Sequence, residues 1–177
     1  ADNWRLNAAE APVAGMTATG IHLTDLSAAL FGAARDVRVS CENLGSDFPQ
    51  GDTMSAHIRF RSGGTAYISA TLVTPFVSRF AVFGTKGWID IRDKAHVESP
   101  DGWIVTEAYT GTPITVTEVP AAEPVRDNLV AFARAVRGVA PYPITGDDLI
   151  NNIAILEAII ASAAQDGAVV NIKESLA

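Results

Sequence analysis

The sequence predicts an α+β domain of two layers, with helices packed on one face of a largely antiparallel (mixed) open β-sheet. Three observations carry this. An amphipathic helical stretch follows Gly20. From Val37 to Val119, short runs of alternating apolar and polar residues are separated by turn residues. Two further helical stretches follow Pro124 and Thr145. Consecutive strands joined by turns pair antiparallel, and helices gathered at the chain ends must cover the apolar sheet face.

Residues 1–19 read as extended and looped. A helix is expected from about Gly20 to Phe31, with Leu23, Leu26 and Leu30 at i, i+3, i+7 forming its apolar face. Gly32 supplies the stop. Val37-Arg38-Val39-Ser40-Cys41 reads as a strand. In the next, Met54, Ala56, Ile58 and Phe60 share one face, and Ser55, His57, Arg59 and Arg61 the other. After Ser62-Gly63-Gly64, Ala66, Ile68, Ala70 and Leu72 alternate with Thr65, Tyr67, Ser69 and Thr71, which completes a hairpin. Further strands are expected at 79–84, 87–92, 95–98, 103–108 and 113–119, with turns at Gly84-Thr85-Lys86-Gly87 and Ser99-Pro100-Asp101-Gly102.

Pro124 suits a first helical turn, and Val125, Leu129, Phe132 and Val136 make a stripe behind it. Thr145-x-x-Asp148 resembles a capping box with Asp in place of Glu or Gln. Leu149, Ile153, Leu156, Ile160 and Ala163 form the next stripe, and Ile150, Ile155 and Ile159 add a second apolar side that calls for deep packing. Gly167 ends this helix, and Val169-Val170-Asn171-Ile172 returns as a short strand.

Composition narrows the function. A length of 177 residues suits a single domain able to bury a core. A net charge of −7 gives no basic face for nucleic acid. Cys41 is the one cysteine, so there is no internal disulfide framework, and a packed structural thiol suits its strand better than a nucleophile does. No apolar run approaches the length of a membrane span, and no signal peptide opens the chain. His57 and His96 sit on polar strand faces and read as solvated. No histidine spacing suggests a metal site.

The chemistry-bearing stretch is Gly20-Ile21-His22-Leu23-Thr24-Asp25-Leu26. It places His22 and Asp25 within one turn at the mouth of a helix. An imidazole there can exchange protons with a ligand near neutral pH. The same spacing also fits an Asp that merely favours the positive helix end. The Thr/Ser-rich sheet face carrying Thr65, Tyr67 and Thr71, to which Val73 and Trp88 would add, is either a solvated surface or a subunit interface.

Trp4-Arg5, the loop Ala14-Gly15-Met16-Thr17-Ala18-Thr19 and the Gly20–Leu26 stretch together resemble the start of the C-terminal domain of the Gfo/Idh/MocA oxidoreductases. Phe83-Gly84-Thr85-Lys86-Gly87-Trp88-Ile89 resembles that family's turn between two strands. Asn128 to Ile172, with Tyr142-Pro143-Ile144-Thr145-Gly146-Asp147-Asp148, resembles its closing helices and last strand. The resemblance implies an NAD(P)-dependent oxidoreductase acting on a sugar, inositol or related polyol. It implies that residues 1–177 are its single C-terminal substrate-binding and oligomerisation domain, with 1–19 an inter-domain, active-site loop. The family's Gly-rich phosphate loop and Glu-Lys-Pro motif do not occur here, so NAD or NADP is expected on a separate Rossmann domain. The chain alone is then expected to hold no cofactor and to be inactive.

By the same resemblance His22 is the catalytic acid/base, and Trp4, Arg5, Thr17 and Asp25 are substrate-binding residues. Thr19 could hydrogen-bond substrate, and Arg5 could hold it through its fork geometry. The family's usual carboxylate four residues before the histidine is Ala18 here, which leaves His22 without that partner. A carbohydrate-like substrate, a homo-oligomer formed through the open sheet face, no nucleic-acid or membrane partner, and a cytoplasmic location are the expected context. Two other readings stand beside this one: a non-catalytic ligand-binding or scaffold protein of the same fold, and an unrelated ligand-binding domain.

Overall fold

A computed structural model describes residues 4, 7–13 and 15–173, with the backbone alone at Ala18. A π-helical turn, Met16–Gly20, leads into α1 (Ile21–Phe31). There follow β1 (Ala34–Glu42), β2 (Thr53–Phe60), β3 (Thr65–Thr71), β4 (Arg79–Gly84), β5 (Gly87–Asp93), β6 (Trp103–Tyr109) and β7 (Thr115–Val119). Then come α2 (Pro124–Val136), α3 (Gly146–Ala163) and β8 (Val170–Asn171). The chain forms two compact units, residues 1–73 with 144–177, and residues 74–143.

The expected α+β class with open antiparallel pairing is what forms, and the strands are shared between two four-stranded sheets. In the first unit the order is β3-β2-β1-β8. The hairpin register sets Ala56 opposite Ile68 and His57 opposite Tyr67. Met54, Ala56, Ile58 and Phe60 of β2 and Val37 and Val39 of β1 are buried on one side, against Ile155, Ala158 and Ile159 of α3. Alternation puts the polar residues of the same strands on the other side, as period-2 geometry requires.

The buried stripe of α3 is Ile155, Ala158, Ile159 and Ser162. This corrects the expected stripe: Leu149 and Ile153 are exposed, and Leu156, Ile160 and Ala163 only flank the core. The deciding contact is polar. Ser162 Oγ accepts from Val39 N at 3.0 Å and donates to Ala168 O at 2.6 Å, so α3 itself satisfies a β1 amide beyond the reach of short β8. The capping box forms as the sequence suggests, with Thr145 and Asp148 exchanging side-chain and backbone bonds.

The face of α1 is also corrected. Its buried residues are Thr24 and Ser27, while Leu26 and Leu30 are exposed. Thr24 Oγ1 lies 2.8 Å from Ile21 O and 2.6 Å from the Asn152 side-chain oxygen on α3, and Ser27 Oγ donates to Leu23 O. Asn151 receives the Ala34 amide and donates to Gly32 O, closing the turn after the helix. Gly32 takes φ 76°, the left-handed conformation that suits glycine at a helix end.

Asp52 ties one end of the sheet together. Its carboxylate accepts from Leu44 N, Gly45 N, Ser46 Oγ and Thr53 Oγ1, at 2.8–3.2 Å. Its backbone bridges Glu42 O and Leu72 N. Burial pushes the carboxyl up, and these four donors outweigh it, holding Asp52 well below the usual carboxylate range. Cys41 is half-buried at the core edge and its thiol donates to Gln50 O at 3.4 Å. Burial, then Glu42 and Asp52, push that thiol up, which suits a structural role.

The second unit is a meander of order β4-β5-β6-β7, followed by α2. Residues 95–98, expected as a strand, form part of the turn between β5 and β6. Trp88 lies on β5 of this second sheet. Asp90 is buried between Arg79 and Arg92. Burial raises its carboxyl and the two guanidiniums lower it further, with the net shift downward. The stripe of α2 is exposed, with Val125, Leu129, Phe132 and Val136 each more than half accessible. Phe132 meets Tyr142 edge-on at 5.8 Å, and Tyr142 OH donates to Asn128 Oδ1.

Candidate functional site

The π-helical turn replaces the loop expected just before α1. Ile21 N reaches back to Met16 O, an i→i+5 bond. Gly20 lets the turn close tightly on a buried side chain, because a Cβ there would sit 2.5 Å from Met16 Sδ and the methionine would have to shift. Single π turns are uncommon and concentrate at functional sites. Thr19 Oγ1 donates to Gly15 O at 2.8 Å, so its hydroxyl serves the turn. Thr17 is half-buried, and its Oγ1 has no hydrogen-bond partner among the described residues.

His22 therefore stands on the first turn of α1, exposed, one residue past the π turn. Asp25 is exposed too, and no hydrogen bond or ion pair joins it to His22 among the described residues. Both share the outer side of the helix with Leu26, opposite Thr24 and Ser27. Trp4 is 41% exposed, and its carbonyl accepts from Asn7 N. Arg5 lies outside the described residues. Thr17, His22 and Asp25 follow one another along one helical path, with His22 and Asp25 exposed and the Thr17 hydroxyl buried.

A cleft of about 500 Å³ lies elsewhere on the first unit, lined by Arg38, Ser40, Ser55, His57, Tyr67 and Ser69 among others. None of Trp4, Thr17, His22 and Asp25 lines it. His57, expected as solvated, is half-buried: its ring stacks on Tyr67 at 4.6 Å and 3°, and its Nε2 is buried without a hydrogen-bond partner among the described residues. The Tyr67 side of this surface was legible in the hairpin pattern. Arg38 and Ser40 were missed, although Arg38, Ser40 and Glu42 alternate with Val37, Val39 and Cys41. His96 stands in a turn, exposed, accepting from Glu98 N.

The described residues do not fit a dinucleotide. Phosphate binding at a helix start needs free amides and no negative charge. The α3 start is closed by Thr145 and carries Asp147 and Asp148, α2 begins with Pro124, and α1 continues the π turn. No cluster of three His, Cys, Asp or Glu able to hold a metal occurs among the described residues. No helix among them is long and apolar enough to cross a membrane.

The family model for the GFO/IDH/MocA C-terminal domain matches residues 1–90, and the chain belongs to that family. No curated protein sequence matches it. Solved structures share the fold. A Desulfitobacterium hafniense protein assigned as an NADPH-dependent oxidoreductase superposes with a TM-score of 0.84 at 20% identity, over 96% of this chain and 51% of its own. The aldose-aldose oxidoreductase of Caulobacter crescentus, complexed with glycerol, gives 0.78 at 24% identity, over 96% and 51%. A levoglucosan dehydrogenase complexed with NADH gives 0.72 at 18% identity, over 98% and 54%. The chain spans about half the length of these proteins.

Proposed function

We propose that this chain is the substrate-binding half of a nicotinamide-dependent oxidoreductase acting on a sugar, inositol or related polyol, with the dinucleotide held by another domain. The observation that carries this is His22: a proton-exchanging group on the open side of a helix, set just past a π turn that closes against Met16 at Gly20. The exposed Leu26 and Leu30 on that helix suit a face that another domain covers. Family membership supports the reaction class. The glycerol and levoglucosan complexes of fold relatives support a polyhydroxylated substrate.

In this reading His22 exchanges the proton of a substrate hydroxyl. Thr17, Trp4, Arg5 and Asp25 orient the substrate. The second role of the domain is self-association through the polar face of β1–β3, where Tyr67 is 80% exposed. His22→Gln in the full-length protein is expected to lower kcat/KM by about 10²- to 10⁴-fold, the usual range for losing a general acid or base. The measurement is kcat/KM across pH with a panel of aldoses and cyclic polyols. An unchanged profile would make His22 structural and move the proton chemistry off this domain.

A further inference from the structure

His22 and Thr24 are two residues apart, about 200° round a helix of 3.6 residues per turn, so one faces out when the other faces in. Thr24 is fully buried. Its hydroxyl proton lies between two acceptors, the Ile21 carbonyl at 2.8 Å and the Asn152 side-chain oxygen of α3 at 2.6 Å. Ile21, the residue before His22, is thus held at its carbonyl by Thr24 and at its amide by Met16 O and Thr19 O. Among the described residues no other side chain of α1 hydrogen-bonds a different element, since Ser27 Oγ bonds Leu23 O within the helix. The far end of α1 has its own anchors: Phe31 packs on Phe60 at 5.3 Å, and Asn151 bonds Gly32 O. At the first turn apolar packing pulls another way. Leu23, Leu26 and Leu30 form a stripe about 100° round from Thr24 and Ser27, and Leu26 and Leu30 are exposed. A rotation that buried this stripe would carry His22 off the outer side of the helix.

We propose that Asn152 is a positioning residue for His22. The proposal rests on the reading of His22 as the group that exchanges the substrate proton, and it names what aims that group. Asn152 acts through Thr24. By holding the buried hydroxyl it fixes the rotation of the first turn of α1 about the helix axis, against the pull of the outer leucines. It thereby sets the direction in which the imidazole leaves the helix. Proton transfer needs the heavy atoms within hydrogen-bond reach, about 2.6–3.2 Å, and a misplacement of about 1 Å can cost about 100-fold in rate. Trp4, Arg5 and Thr17 precede α1 in the chain, so their part in binding does not depend on its rotation. Loss of aim should therefore fall on kcat and largely spare KM.

The test is steady-state kinetics of the full-length protein on the best substrate of the aldose and polyol panel, with circular dichroism to confirm that each variant folds. Asn152→Leu removes the acceptor at similar size and is expected to lower kcat about 10- to 100-fold with KM nearly unchanged. Added to His22→Gln, it should cost nothing more, because residues that act as a unit are not additive. Thr24→Val removes the same bond from the other side and should show the same pattern, which carries the test should Asn152→Leu fail to fold. Thr24→Ser keeps the hydroxyl and should keep most of the wild-type kcat. An equal loss in the wild-type and His22→Gln backgrounds, a Thr24→Ser as slow as Thr24→Val, or bond-breaking variants as fast as wild type would each overturn the positioning role and leave His22 in place. If His22→Gln is itself as active as wild type, the reading of His22 falls and this role falls with it.

Discussion

Asp52 shows how much one side chain can organise. It is fully buried and ionised, and it gathers the Leu44–Ser46 turn and the start of β2. Its carboxyl titrates lower in the fold than in the unfolded chain, where the ordinary value is about 3.9. The unfolded state therefore binds the proton first as pH falls. The stabilisation is complete above about pH 5 and is lost as pH drops through the lowered folded value. We expect Asp52→Asn to be less stable than wild type at pH 7, with the gap narrowing at pH 3, read as urea midpoints. Asp36 and Asp90 are lowered too and contribute acid sensitivity, but they are common to both proteins and cancel in the comparison. A gap that widened in acid would refute the assignment. This residue was not legible from the sequence, because a lone Asp in Gly51-Asp52-Thr53 carries no sign that distant amides converge on it. The place of His22 on the first turn of α1 was legible because a helix start is a local signal.

At the scale of elements, periodicity located the helices but misjudged two of their faces. The stripe expected on α3 was Leu149, Ile153, Leu156, Ile160 and Ala163, whereas the buried one is Ile155, Ala158, Ile159 and Ser162. A helix apolar on two sides leaves its orientation to whatever it packs against, and here Ser162 fixes it by bonding β1. Likewise Leu23, Leu26 and Leu30 suggested the inner side of α1, but Thr24 is held by Asn152, 128 residues away, and turns the leucines Leu26 and Leu30 outward. Long-range polar bonds leave no periodic trace. The hairpin was read correctly because both its strands are covered on one side only, so alternation survives. Ile159→Ala should cost about 2–5 kcal/mol, as buried branched residues do. Leu149→Ala, at 57% exposure, should change stability by about 0.5 kcal/mol or less. Chemical denaturation of both variants separates the two stripes, and a larger loss at Leu149 would restore the periodic one.

For the whole molecule, the sequence carried the α+β class, the order of most elements and the family, while the division into two units was invisible. The strands of both sheets alternate alike, and nothing local says that β3 and β4 do not pair. The proposed site is partial for a different reason: in that reading the residues that complete it are on another domain. Calorimetric titration of the 177-residue chain with NADH and NADPH should accordingly show no binding, since acidic and proline-led helix starts offer phosphate nothing. Micromolar affinity would overturn the division of labour. The first unit is also discontinuous along the chain, with its sheet begun before residue 73 and its covering helix α3 starting at Gly146. About 75 residues separate the end of β3 from that helix. At roughly 5–20 residues per second, the ribosome delivers α3 some ~4–15 s after the hairpin. Throughout that interval Met54, Ala56, Ile58 and Phe60 lack their lid, so the nascent chain, and not the finished fold, is where this protein is most exposed to aggregation.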